Sequence, residues 1–275
     1  MSGVAVICRR VVHIYRAEGN DVVALAGVDL DIAPGAMVAL VGPSGSGKST
    51  LIALLAGLMR ASAGQVRIGT ADLSRISDAE LARLRGTELG VVLQGAQRNL
   101  LPYATVRANV WLAQRRAVQV RPGDVEPPEH ILSLLGLMGY AHKRVDELPP
   151  GATQLAALAS AMASSPGLLL VDEPTSQLDR AARDEVLQAL TAINSERGTT
   201  IVAVTHDPEV GERLGRVVTI RDGRVGAEGR GGREFAVIAG DGTVQLPPEM
   251  LDAYPPGTLL ALEQSADGRF SFVAE

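Results

Sequence analysis

Several short stretches of this chain combine residue types that act on phosphate. "GPSGSGKS", Gly42 to Ser49, has the spacing of a phosphate-binding loop. Gly42, Gly45 and Gly47, with Pro43, Ser44 and Ser46 between them, let the backbone curl until its N–H groups face one point. A helix beginning at the end of the loop adds its positive N-terminal end. Lys48 then reaches the β- and γ-phosphates of a nucleotide, Ser49 ligates Mg²⁺, and Thr50 closes the run of phosphate-facing residues. "LLLVDEP", Leu168 to Pro174, ends an apolar run in Asp172, placed to hold the Mg²⁺ shell. Glu173 follows, where a carboxylate polarises an attacking water. An acidic pair at a strand end is otherwise a helix cap. Gln94 ends "VVLQ" and His206 follows "VAVT". A lone histidine is otherwise structural, and such a glutamine a plain polar cap.

These residues share one place only if the elements before them lie side by side. "VVALAGVDLDIAPGAMVALVG" reads as two short strands broken at "APG", the second apolar enough to be buried on both faces. "KSTLIALLAGL" is helical, "GQVRIG" a strand, "DLSRISDAELARLR" a capped helix and "LGVVLQ" a strand. "VRANVWLAQRR", "PPEHILSLLGLMGY" and "TQLAALASAMASS" give a helical region. "GLLLVDEP" is a buried strand, "RAARDEVLQALTAIN" an amphipathic helix and "TTIVAVTHD" a strand. "RVVTIRDGRV" is a hairpin with an Asp-Gly turn. Strands and helices alternate at both ends, which gives an α/β fold with a parallel sheet. Lys48, Gln94, Asp172 and His206 then fall at the carboxyl edge of that sheet, where ligands bind.

The chain has 275 residues, room for one large domain and a small appendage. Hydrophobic residues make up 46% and aromatics 3%, so the core is built from Ala, Val, Leu and Ile. A net charge of −5 without a polybasic block argues against nucleic acid as the main partner. The one cysteine, Cys8, makes no internal disulfide and fits a reducing compartment. No signal peptide or apolar run of spanning length is expected, so a soluble chain working at a membrane needs another subunit to cross it. After "EGRGGR" the texture changes. Residues 231–275 carry short strand patterns, Asp-Gly turns at 241–242 and 267–268, and four prolines. They read as a small β-rich appendage, either a dimerisation or regulatory module or an extension that packs on the core.

Gly42–Ser49, Gln94, "LLLVDEP", "SQLD" (Ser176–Asp179) and His206 occur in an order that resembles the ATP-binding cassette ATPases, over about residues 4–230. Within that family, "DLSRISDAELARLRGTELGVVLQGAQRNLLPYATVRANV" is similar to subunits of the macrolide-export and lipoprotein-release type. The resemblance implies a P-loop NTPase core with an N-terminal antiparallel β subdomain, and a helical subdomain inserted at about 95–164. It implies ATP and Mg²⁺ as cofactors, a transmembrane permease subunit, a second cassette ATPase subunit, and a peripheral place on the cytoplasmic face of the cell membrane. Glu173 would be the general base, His206 would contact the γ-phosphate, and Gln94 would bind Mg²⁺ or the water and sense the membrane subunit. Tyr15 would stack on adenine, unless it is an ordinary core aromatic. Asp179 would cross the dimer interface. Leu100, Leu101, Val106, Val110 and Trp111 would form the groove for a coupling helix, or else the core of the helical subdomain.

The chain departs from the family at one motif. The γ-phosphate of a partner's nucleotide is gripped by Leu-Ser-Gly-Gly-Gln at a helix start, and here the aligned residues are Leu148, Pro149, Pro150, Gly151 and Ala152. Leu155 and Ser160 stand where arginines are common. Pro149 brings neither hydroxyl nor N–H, and Pro150 no N–H, although proline is tolerated in a first helical turn. Losing two donors to a charged group would weaken the closed sandwich by a factor on the order of 10² to 10⁴. Thr153 is placed to restore part of this. The departure favours a heterodimer in which a companion supplies the intact grip, with a homodimer of two weak sites as the alternative. A nucleotide-gated regulator with little turnover is a further reading. A soluble cassette of translation or DNA repair fits poorly, since those usually carry two cassettes or a coiled-coil insert.

Overall fold

The computed structural model describes residues 3–17, 19–230, 233–238, 242–246, 250, 253–255, 258–264 and 270–274. β1 (Val6–Ala17) and β2 (Asn20–Ile32) form a long antiparallel pair. β2 is 13 residues long, longer than its sequence pattern alone suggests, because it is hydrogen-bonded along the whole of β1. The chain turns at Gly35 (φ 72°) and enters β3 (Met37–Val41). After the glycine loop come α1 (Lys48–Leu55), β4 (Ala63–Ile68) and the short β5 (Ala71–Asp72). β4 pairs back onto β1, giving a four-stranded antiparallel sheet in the order β2-β1-β4-β5.

α2 (Asp78–Thr87) starts at a reciprocal cap: Ser77 Oγ accepts the Glu80 N–H, and the Glu80 carboxylate accepts the Ser77 N–H. β6 (Leu89–Val92) follows, then a helical region of α3 (Val106–Val120), α4 (Pro128–Leu134) and α5 (Pro150–Ala161). α4 stops at Leu134, inside the stretch "PPEHILSLLGLMGY" of the expected helical region, because Gly136 takes a left-handed conformation (φ 68°) and the chain re-enters as a 3-10 turn at Met138–Tyr140. β7 (Leu168–Asp172), α6 (Arg180–Arg197), β8 (Thr200–Val204), α7 (Pro208–Arg213) and β9 (Arg216–Arg221) then follow. β10 (Arg224–Arg230) returns antiparallel to β9 through the expected turn at Asp222 and Gly223.

β11 (Arg233–Ala236) pairs with β10, so the larger sheet runs β11-β10-β9-β3-β8-β7-β6. Within it β9, β3, β8, β7 and β6 run parallel to one another, and β10 and β11 continue the sheet antiparallel. β12 (Leu260–Gln264) and β13 (Phe270–Ala274) form a separate antiparallel hairpin. Gly231 and Gly232 of the expected linker, Asp241 of one expected Asp-Gly turn and both residues of the turn at 267–268 lie outside the described residues.

The central strands β7 and β8 are buried on both faces. Leu169, Val171, Ile201 and Ala203 pack into a core with α3, α5 and α6. Their neighbours Leu168, Leu170, Val202 and Val204 face the other way, into a core with α1 and the antiparallel sheet. The strict alternation explains why these strands read as unbroken apolar runs. α6 buries Val186, Leu187, Ala189, Leu190 and Ile193, a helical stripe against the first core. Cys8 lies wholly inside the second core, and burial pushes its thiol up to about 12, so it is a neutral packing group. Among the described residues no helix is long and apolar enough to cross a membrane.

Leu169 is fully buried in the strand that ends in Asp172. Leu169→Ala is expected to lower stability by roughly 2–5 kcal/mol, read as a lower urea midpoint with an unchanged denaturant slope.

Candidate functional site

The glycine loop joins β3 to α1 under tight constraint. Gly42, Gly45 and Gly47 have φ values of 142°, 79° and 103°, which other residues rarely adopt. A Cβ on Gly42 would overlap the carbonyl oxygen of Ile220 on β9, and one on Gly47 the carbonyl oxygen of Ala24 on β2. The loop is thus threaded between the two sheets. The turn after β9 clamps it further: the Gly223 N–H donates to Ser46 O at 3.1 Å, and the Ala26 N–H to Gly223 O at 2.8 Å.

Lys48 folds back into the loop. Its Nζ donates to Gly42 O and Pro43 O, each at 2.8 Å, and lies 3.5 Å from Ser46 Oγ. Burial lowers its pKa, and the carboxylates of Glu173 and Asp172 oppose that shift. No side chain caps α1, so the helix presents its first N–H groups to the loop cavity.

β7 delivers Asp172 to the same edge. Burial raises the pKa of its carboxyl, a hydrogen bond with the Ser49 hydroxyl lowers it, Glu173 raises it and Lys48 lowers it. Ser49 and Asp172 therefore meet as a hydroxyl and a carboxylate. Both are hard oxygen donors, the chemistry that suits Mg²⁺. Glu173 sits next in a left-handed conformation (φ 52°), with its N–H held by Val204 O at 2.9 Å. A non-glycine residue in that region is strained, and such strain gathers at functional sites. The Glu173 carboxylate meets His206, whose Nδ1 is 3.0 Å from Oε1 and 2.9 Å from Oε2. Glu173 is largely enclosed, whereas the His206 ring is open to solvent.

Gln94, two residues past the end of β6, is exposed on the same edge of the parallel sheet. Tyr15 lies against α1: its hydroxyl is 3.2 Å from Thr50 Oγ1, and its ring meets His13 edge-on at 4.8 Å. At 42% exposure it is a surface aromatic beside the loop, and the core-aromatic alternative does not describe it. Asp179 caps its own helix, accepting the Ala182 N–H at 2.8 Å.

The apolar run after Gln94 divides in two. Leu100, Val106 and Val110 are buried in the core, while Leu101 and Trp111 are exposed together with Leu93 and Tyr103. At the start of α5 the Thr153 N–H and hydroxyl both donate to Pro149 O, at 3.0 and 3.1 Å. The Thr153 hydroxyl is thus turned into its own helix, and the N–H groups left at the helix start are those of Gly151 and Ala152. The sequence alone does not single out Asn99 and Asn109, whose amides bond the backbone at Leu93 and Leu101. An asparagine five residues after Gln94 is the one local signal that pointed to the first.

A glycine loop between strand and helix, with a carboxylate at the end of a neighbouring parallel strand, defines a P-loop nucleotide-binding protein. The family profile described as ABC transporter matches residues 25–176. The chain is 42% identical over 206 residues to the lipoprotein-releasing system ATP-binding protein LolD of Anaeromyxobacter dehalogenans, covering 74% of this chain and 85% of that protein. It is 38% identical over 218 residues to the macrolide export ATP-binding/permease protein MacB of Rhodopirellula baltica, covering 78% of this chain and 32% of that longer protein. Among solved structures, the dimeric post-hydrolysis state of the ATP-binding cassette MJ0796 bound to ADP and Pi superposes with a TM-score of 0.73. That cassette is 31% identical, with 84% of this chain and 100% of the other covered. The chain belongs to the ATPase family of ABC transporters: it binds ATP and is an ATPase.

Asp172 gives a prediction with a definite sign. Its pKa is raised in the fold, so the stability it contributes is full below the ordinary carboxylate range and is lost as pH rises through the raised value. At neutral pH the charged carboxylate therefore costs the empty chain stability. Asp172→Asn is expected to melt at or above the wild-type temperature without nucleotide, and to lose the extra rise that Mg²⁺ adds in the presence of ATP. Thermal melts with ATP, with and without Mg²⁺, check both halves.

Proposed function

We propose that this chain is the ATP-hydrolysing subunit that drives a separate transmembrane permease from the cytoplasmic face of the membrane. The observation that carries this reading is the meeting of Lys48, Ser49, Asp172, Glu173 and His206 at one sheet edge. Gly42 to Thr50 cradle the phosphates, with Lys48 leaving its carbonyl partners for the β- and γ-phosphates. Ser49, Asp172 and Gln94 hold Mg²⁺, which supplies charge neutralisation at the phosphates. Glu173 takes the proton of the attacking water, and His206, bonded to Glu173, orients that carboxylate and contacts the γ-phosphate. Tyr15 stacks on adenine, tied by its hydroxyl to Thr50. The exposed Leu101 and Trp111, joined by Leu93 and Tyr103, support a docking face for the permease.

The partner ATPase subunit is a different chain on this reading. This chain's own catalytic residues are complete, while the start of α5 lacks the donors that a partner's nucleotide needs. Thr153 does not restore them, because its hydroxyl is committed to Pro149 O. One site of the heterodimer turns over, and the site facing Pro149 and Pro150 binds ATP with poor turnover. The same observation favours a second reading, a regulatory subunit that binds ATP and switches its partner without useful hydrolysis.

In the assembled complex, Glu173→Gln is expected to lower turnover by about 10²-fold or more, the usual contribution of a positioned base, with ATP binding retained in equilibrium dialysis. Wild-type turnover in that variant would remove Glu173 from the base role. Restoring the grip with Pro149→Ser and Pro150→Gly separates the assemblies. A heterodimer gains one working site, so its steady-state rate rises about twofold. A homodimer repairs both weak sites and rises by about tenfold or more, on the strength of two regained charged hydrogen bonds. An unchanged rate in the repaired chain would dispose of the weakened grip altogether.

A further inference from the structure

Gln94 is exposed, yet the backbone on both sides of it is held by one amide side chain. Asn99 Oδ1 accepts the Leu93 N–H at 2.8 Å, and Asn99 Nδ2 donates to Leu93 O at 2.9 Å. The same Nδ2 reaches Gly95 O at 3.2 Å and Ala96 O at 3.4 Å. β6 ends at Val92, and the Asn99 amide then pairs with Leu93 much as a neighbouring strand would. Only a primary amide offers an acceptor and donors together in this space; a carboxylate offers acceptors alone.

The far end of the segment is held in the same manner. Asn109, buried on α3, accepts the Leu101 N–H at 2.7 Å and donates to Leu101 O at 3.2 Å and Thr105 O at 3.0 Å. Residues 93–101 are therefore clamped at both ends by asparagine amides, the second of which belongs to the helix that carries Trp111. An exposed side chain on a free loop must be ordered at every turnover, whereas one on a fixed backbone is already in place.

We propose that Asn99 is the positioning residue for Gln94: its amide fixes the backbone on both sides of Gln94 and so presents that side chain at the phosphate edge, while Asn109 ties the other end of the segment to α3. This rests on the role given to Gln94 above, and it adds the residue through which that role depends on the loop.

Asn99→Asp tests it with little risk to folding, since it keeps the shape and the acceptor for the Leu93 N–H and removes the three donor contacts. In the whole 275-residue chain, amide hydrogen exchange at Leu93 and at Arg98, whose N–H donates to Gly95 O, is expected to quicken about tenfold or more, with exchange in the two cores unchanged. In the assembled complex, kcat is expected to fall about tenfold, the scale of losing an outer support of a site, with KM for ATP within about twofold of wild type. Gln94→Ala should fall at least as far, and the Gln94→Ala, Asn99→Asp double variant no further than Gln94→Ala alone. A merely structural Asn99 would lower the double variant below Gln94→Ala, and that result overturns the proposal. Unchanged exchange at Leu93 and Arg98, or wild-type kcat in Asn99→Asp while Gln94→Ala falls, also overturns it and leaves the role of Gln94 standing. Wild-type turnover in Gln94→Ala sinks the role of Gln94 itself, and the positioning with it.

Discussion

The Lys48 ammonium has to be satisfied whether or not phosphate is present, and the shape of the glycine loop follows from that requirement. Its two close partners are the carbonyls of Gly42 and Pro43. Bringing those carbonyls inward takes backbone conformations open to glycine, and the ends of β2 and β9 leave no room for a side chain at Gly42 or Gly47. The antiparallel sheet and the parallel sheet are thereby brought to the same few atoms. Asp172 and Glu173 reach that place because β7 lies two strands from β3 in a sheet of one direction. His206 reaches it because β8 lies between them.

The glycine loop and the start of α5 are built differently. At the loop, polar groups are matched: lysine with carbonyls, aspartate with serine, glutamate with histidine. At the start of α5 the helix is organised for burial. Gly151 lies so close to α6 that a Cβ there would sit 2.9 Å from Ala182 Cβ, and Thr153 and Gln154 are buried with the apolar residues that follow. Proline fits such a helix start well, since its φ is already helical and its missing N–H would have lacked an intrahelical partner. Sound folding of α5 and the scarcity of N–H donors at its start have a common origin in Pro149 and Pro150.

The meeting of Lys48, Asp172, Glu173 and His206 at one sheet edge was legible in the sequence because each part is a local pattern: a glycine spacing, a carboxylate pair after an apolar run, a histidine after another. The alternation within β7 and β8 was legible for the same reason. What could not be read depends on which residues face each other. Leu100, Val106 and Val110 are as apolar as Leu101 and Trp111, and the helical phase of α3 with its packing on α5 decides that the first set is core. The Asn99 and Asn109 amides resemble any loop or helix asparagine until the backbone they bond is seen. Where the helical pattern of "PPEHILSLLGLMGY" breaks is set by Gly136, whose left-handed conformation stops α4.

The turn that holds Ser46 belongs to the β9–β10 hairpin, and β11 lies alongside β10. Only β10 and β9 separate β11 from β3, the strand that leads into the loop. The segment after residue 230 thus enters the molecule as an edge strand of the catalytic sheet. β11 is thereby linked to the glycine loop: a pull on it would pass through β10 and β9 to the hairpin turn that holds Ser46.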